Sequence, residues 1–243
     1  MPARAGKTSD RATTAARLRR GTRPRSATAA ARIYQLLRGE LISLQRKPGD
    51  LISEAEIALA NGVSRTPVRE AILKLADDGL VDIFPQSGIC VSRIPMAALP
   101  EAILVRKALE ETTARLAAER ATSSQVMALH AIVERQREAN AASDNDAFHQ
   151  ADELFHATVA EVARHPGIWT LIQQVKVHVD RYRRLTLPQE GRIARAIGEH
   201  EAILAGIEAR DPAQARSAME AHLERLLRDI SATQNINPDF FEP

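Results

Sequence analysis

Cysteine is nearly absent. Cys90 stands alone in 243 residues, so no disulfide can close within the chain and no cysteine-based zinc cluster can be built from it. Aromatic residues are sparse, at 3% against 44% hydrophobic residues; alanine and leucine dominate, a balance that favours helix over sheet. There is no apolar run long enough to span a bilayer, and the N-terminus lacks the apolar core of a secretory signal, which together predict a soluble cytoplasmic protein. Net charge is also small, +2, but it is unevenly spread. Residues 1–31 carry eight basic residues against Asp10, a net +7, and residues 32–93 balance to zero, leaving −5 for residues 94–243. A basic arm ahead of an acidic half points to a polyanion at the N-terminal end. For the arm alone, a disordered and solubilising tail is the better reading.

What the sequence does contain is organised around Val63-Ser-Arg-Thr-Pro-Val-Arg-Glu-Ala-Ile-Leu-Lys-Leu75. Val68, Ala71, Ile72 and Leu75 fall on one helical stripe, while Arg65, Thr66 and Arg69 project from the other side of the first turns. Ser64 is placed to cap this helix and Gly79 to end it in the left-handed conformation. Upstream, Ile33, Leu36, Leu37, Leu41 and Leu44 mark an amphipathic helix that ends at Lys47-Pro48-Gly49. Ser53-Glu-Ala-Glu56 then matches a capping box opening a short helix with Ile57 and Ala60 inward. Two helices joined by the tight Asn61-Gly62 turn make a helix-turn-helix. Leu80–Phe84 and Ile89–Arg93, joined by Pro85-Gln-Ser-Gly88, predict a hairpin, or wing, directly after the recognition helix. Gly88 at its tip lets backbone approach a phosphate or the minor groove.

Residues 94–100 form a short linker. Six helices are expected beyond it, near 98–121, 123–141, 145–164, 167–186, 190–210 and 212–231, with Ser123 or Ser124, Ser143 and Asp211 as caps. The expected class is therefore mainly α: a basic arm (1–27), a winged helix-turn-helix (28–93), the linker, an all-α bundle (101–232) and a tail (233–243). The inward stripes of the bundle carry unusual polar residues. His200 interrupts Ile193, Ile197, Leu204 and Ile207, and His222 interrupts Ala215, Met219, Leu226 and Ile230. An antiparallel hairpin about Arg210-Asp211 sets both imidazoles at one height. Asp152 and His156 stand at i and i+4 beside Phe148, Phe155 and Val159. Together Asp152, His156, His200 and His222 make a divalent-metal set without thiolates, and His149 is close enough in sequence to compete. A single histidine in such a stripe is more often a satisfied core residue; four such groups buried without a metal would leave polar atoms unpartnered at real cost. Arg106 lies in the stripe Ile103, Leu109, Thr113, Leu116. Two readings stand for it: a salt bridge to Glu110, or a clamp for a small-molecule carboxylate.

The run Val63–Ile72, with Pro48-Gly49, Ser53-Glu54, Asp78-Gly-Leu80 and Gly88, resembles the winged-helix head of the GntR family of bacterial transcription regulators across residues 28–93. The resemblance implies DNA contacts at Arg65, Thr66, Arg69 and Gly88. Many members carry an arginine after the Ser-Glu pair where this chain has Ala55, so that contact is missing. Residues 98–231 resemble the effector-binding FCD domain of the FadR branch, in its six-helix VanR-like form. Asp152-Glu-Leu-Phe-His156, His200 and His222 match its metal ligands, and Arg106 its effector-facing arginine. His165-Pro166 replaces the usual Asn-Pro. Such domains bind a metal, often zinc (nickel and manganese are alternatives), and sense small organic acids. The chain is thus expected to be a dimeric, DNA-binding transcription regulator, most readily a repressor, acting on a pseudo-palindromic operator with no membrane partner. Two other classes compete: a metal-dependent enzyme with a nucleic-acid-binding head, and a structural DNA-binding protein whose bundle only dimerises. Against the enzyme, no spare carboxylate at a diagnostic spacing offers itself as general base and no His-Glu-x-x-His occurs.

Overall fold

The structure, a computed structural model, describes residues 28–86, 88–231 and 237–242; the basic arm and part of the tail lie outside the described residues. The head opens with α1 (Ala29–Ile42), capped by Thr28. After it come β1 (Leu51–Ile52), α2 (Glu54–Ala60), α3 (Arg65–Asp77), β2 (Val81–Phe84) and β3 (Gly88–Val91). The expected stripe of α3 is its buried face: Val68, Ala71, Ile72 and Leu75 pack with Ile33, Leu37 and Leu41 of α1. In α2 the inward pair is Ile57 and Ala58, whereas Ala60 is exposed and lines an open cavity between α2 and α1. Ser53 accepts from the Glu56 amide as expected. Ser64 sits at the α3 cap position without a side-chain bond. The wing gains a strand that alternation alone does not announce: two-residue β1 pairs with β3, giving the antiparallel order β1-β3-β2.

The linker is more structured than expected. Ile94–Pro95 forms β4 and pairs in parallel with β5 (Phe241–Glu242) from the far end of the chain. A 3-10 turn at Met96–Ala98 leads into α4 (Leu99–Arg120). The bundle continues with α5 (Ser123–Ala141) and α6 (Asn145–Val162), capped by Thr122 and Asp144 rather than by the serines beside them. The fourth expected helix is divided at Lys176 into α7 (Pro166–Val175) and α8 (Val177–Thr186). The buried ammonium of Lys176 lies 2.5 Å from both Glu153 and Asp180, and a buried cation must meet its carboxylates. The bend satisfies it and turns Val177 into the core of the head. Helices α9 (Arg192–Glu208) and α10 (Pro212–Ser231) form the closing hairpin, with Asp211 accepting from the amides of Ala213 and Gln214.

Helix α8 is also the seam between head and bundle. Arg181, fully buried, donates to the Ser92 carbonyl at 2.5 Å and to its hydroxyl at 3.2 Å. His178 abuts Gly79, the turn that ends α3. On the bundle side, α9 approaches α10 most closely at Gly206 among the glycine positions described. A Cβ there would lie 2.6 Å from the backbone nitrogen of Ala215 on α10, so the two helices cross at closer range than a methyl group allows. Gly206→Ala is therefore expected to lower stability. The backbone clash of about 1–3 kcal/mol outweighs the gain of roughly 1 kcal/mol in helix propensity. Thermal unfolding should show a lower midpoint; a raised midpoint would mean that the crossing is not tight.

Candidate metal centre and DNA-contacting face

Three helices supply the centre. His156 comes from α6, His200 from α9 and His222 from α10, and one nitrogen from each lies within 4.8 Å of the others. Ring centroids are 4.8 Å apart for His200–His222, 5.2 Å for His156–His200 and 5.4 Å for His156–His222. Each ring is held from behind through Nδ1. His200 Nδ1 is 2.8 Å from the Gln136 amide oxygen, and His222 Nδ1 is 2.8 Å from Glu199. His156 Nδ1 lies 2.5 Å from Glu110 Oε2, off the line of an ideal hydrogen bond. An acceptor facing Nδ1 places the proton there and leaves the lone pair on Nε2. The buried Nε2 atoms of His156 and His200 have no hydrogen-bond partner among the described residues. Three imidazoles oriented by acceptors, with lone pairs turned toward one another, fit a divalent ion.

Asp152 is beside this set. Its Oδ1 is 3.7 Å from His200 Nε2, and both oxygens receive Arg183 of α8, at 2.6 and 2.7 Å. A carboxylate oxygen has lone pairs to spare, so Arg183 stands to Asp152 as Gln136, Glu110 and Glu199 stand to the histidines. Burial by itself would raise the Asp152 carboxyl, but Arg183 beside it holds it well below the usual range. Burial is the main reason that His200 and His222 are shifted down, toward the neutral form a metal requires.

Arg106, 1% exposed, forms the expected salt bridge to Glu110. Its Nε is 2.6 Å from Glu110 Oε1, and its two terminal nitrogens make no hydrogen bond to the described residues. A chain of contacts runs Arg106–Glu110–His156, so the arginine braces the metal set while keeping donors free. His149 is not part of the cluster; it lines a cavity of about 230 Å³ between α1 and the bundle with Arg38, Asp180 and Arg184. His130 and His165 are exposed. Glu110, Gln136, Arg183 and Glu199 were not singled out as site residues from sequence. Only Glu110 and Gln136 left a signal, as polar residues on inward stripes.

On the head, Arg65, Thr66 and Arg69 are exposed on the first turns of α3, and Gly88 is exposed at the wing tip with φ +109°. The N-terminal end of a supported helix thus carries two guanidinium groups outward, the arrangement that reads base edges in a major groove.

A winged helix-turn-helix joined to an all-α sensor bundle defines a one-component, DNA-binding transcription regulator. The chain belongs to the GntR family of bacterial regulatory proteins: residues 29–91 match "Bacterial regulatory proteins, gntR family" and residues 101–225 match the FCD domain. It is 32% identical over 209 residues to the HTH-type transcriptional repressor RspR of Escherichia coli K12, covering 86% of this chain and 92% of that protein. It is 27% identical to the Uxu operon transcriptional regulator of the same strain, covering 90% and 94%. The solved structure of E. coli McbR/YncC shares the fold, with a TM-score of 0.72 at 22% identity over 85% of this chain and 98% of that one. These relatives are regulators of transcription, not enzymes.

The buried imidazoles set the acid limit of the metal-free fold. His149 and His178 are each lowered to about 4, by burial first and then by Arg183 and Arg181 respectively, and burial lowers His200 as well. Below about pH 6.5 the unfolded chain takes up protons that the folded chain refuses. Stability should therefore be fully present above that pH and fall as the pH drops toward 4. Glu153, pushed up to about 7 by burial and then by Asp180, slopes the other way but is one group against three. Thermal midpoints of metal-free protein should decline from pH 7 to pH 5, and less steeply in His178→Gln; identical midpoints across that range would contradict the assignment.

Proposed function

We propose that this chain is a repressor that binds a pseudo-palindromic operator as a homodimer, and whose affinity for it is controlled by a small carboxylate effector bound beside a divalent metal, zinc in the first instance. The observation that carries the reading is the convergence of three imidazoles in the bundle interior, each with an acceptor beside Nδ1 and two of them, His156 and His200, with Nε2 unpartnered among the described residues. Repression is supported by the name of the relative RspR. His156, His200, His222 and Asp152 would hold the ion; when bound, it supplies a positive charge with open coordination positions for a carboxylate oxygen. Arg106 offers its two unused nitrogens to the same acid, while its Nε keeps Glu110 against His156.

The route to DNA runs through α8 on this reading. Arg183 grips Asp152 at the centre, and two residues earlier Arg181 grips Ser92 at the base of the wing. An acid that shifts the Asp152–Arg183 pair moves the helix on which the head rests. Coupling of binding free energies is reciprocal, so an acid that releases DNA is itself bound more weakly in the DNA complex.

Operator fragments selected from a random DNA pool provide the first test. Arg65→Ala or Arg69→Ala should each weaken binding by about 1–3 kcal/mol, read by fluorescence anisotropy. A double variant that binds as tightly as wild type would overturn the assignment of α3.

Metal analysis provides the second. Purified protein should hold about one divalent ion per chain, and chelation should lower its thermal midpoint. His200→Ala and His222→Ala should each remove most of the ion. Acids that bind should change operator affinity by roughly five- to a hundred-fold, and Arg106→Ala should lose that response. Full occupancy in the double histidine variant, or an acid response intact without Arg106, would count against the reading.

A further inference from the structure

The cavity of about 230 Å³ that holds His149 lies between α1 of the head and helices α6 and α8 of the bundle, with room for roughly eight water-sized groups. It is separate from the histidine centre, since Arg106, Asp152, His156, His200 and His222 do not line it. Two exposed residues, Gly39 and Gln150, mark its opening to solvent. His149 is 8% exposed and makes no hydrogen bond to the described residues, although a buried polar side chain ordinarily has a partner. A neutral imidazole offers one donor and one acceptor nitrogen. The charges around it are unevenly matched. On the bundle side Glu153 and Asp180 share one ammonium, that of Lys176, which is 2.5 Å from each. One negative charge is left over there, and the two carboxylates repel each other. Arg184, beside them, is taken up by Asp146. On the head side Arg38 is half-buried and donates to the Gln173 carbonyl at 3.0 Å; it has no carboxylate partner among the described residues. One unmatched charge of each sign thus faces the same cavity, the positive one from the head and the negative one from the bundle.

We propose that this cavity is a second ligand site, for a small zwitterion of amino-acid size: its carboxylate meets Arg38, its ammonium meets Glu153 and Asp180, and His149 shares a hydrogen bond with it. A guanidinium binds a carboxylate through paired N–H donors. An added ammonium gives the two bundle carboxylates the second cation they lack. A simple acid answers Arg38 but brings its charge toward Glu153 and Asp180, and a simple amine does the reverse at Arg38. A molecule carrying both charges satisfies both walls. The site is independent of the metal and effector reading, because it shares no lining residue with the histidine centre. Its occupant touches helices of both domains, so it bears on how the head is seated.

Calorimetry on zinc-loaded, full-length protein tests this with glycine and 4-aminobutanoate, two zwitterions of different charge separation, and with butanoate and butylammonium as singly charged controls. Carboxylates can also meet the histidine centre, so the readout is the change caused by each variant. At least one zwitterion should bind about tenfold more weakly to Arg38→Gln than to wild type, the order set by one charge-assisted hydrogen bond. Its affinity for Arg106→Ala should stay within about threefold of wild type. Asp180→Asn should weaken the same zwitterion while leaving butanoate within about threefold. Binding that falls in Arg106→Ala and not in Arg38→Gln would place the zwitterion at the histidine centre, which overturns the inference and leaves the effector reading intact. Equal losses for zwitterions and controls, or no zwitterion bound to wild type at about 10 mM, overturns it as well.

Discussion

The bundle is built around a group of polar side chains that cannot reach water. Imidazoles, carboxylates and guanidinium groups fill positions where leucine and isoleucine would pack with less difficulty, and each buried polar atom must find a partner or cost stability. The outer half of the problem is solved by protein: Gln136, Glu110 and Glu199 face the Nδ1 atoms, and Arg183 faces both oxygens of Asp152. The inner half is left open, at the Nε2 atoms of His156 and His200. Much of the local architecture follows from holding that arrangement still. Phe155 stacks on His200 at 4.5 Å, Trp169 lies parallel to His156 at 5.9 Å, and Gly206 lets α9 and α10 approach closely.

The division of labour in α8 gives the two domains a shared element. Successive side chains of a helix point about 100° apart, so Arg181 and Arg183 face different neighbours. One is spent on the wing and the other on the centre. Val177 goes further, joining the apolar core of the head although it belongs to the bundle in sequence. The bend at Lys176 is what makes this geometry available. A straight helix from Pro166 to Thr186 would not offer the buried ammonium both Glu153 and Asp180 while turning Val177 to the head.

Much of this was legible in the sequence, for reasons that differ by element. The α3 stripe and its arginines could be read because one face of a helix must be dry and the other free, and the periodicity records both. His200 and His222 stood out because they replace aliphatic residues at symmetric distances from a turn. The division of the helix at Lys176 was not legible: nothing local breaks it, and the cause lies 23 residues away at Glu153. Arg181 and Arg183 were hidden for a similar reason, since a helix rich in arginine looks solvated until its partners are known. Strand β1 is two residues long, too short for alternation to register. Asp144, not Ser143, caps α6 because Ser143 is already in the left-handed turn, with φ +54°.

The pairing of β4 with β5 carries a consequence in time. Ile94–Pro95 and Phe241–Glu242 are neighbours in space, yet about 150 residues of synthesis separate them, roughly 10–30 s on a translating ribosome. The winged head has its own core and can fold early. Strand β4, between head and bundle, lacks its partner until the last helix has been made and the chain has doubled back. A newborn molecule therefore passes through an interval in which the head can be folded while the β4–β5 pairing is still absent.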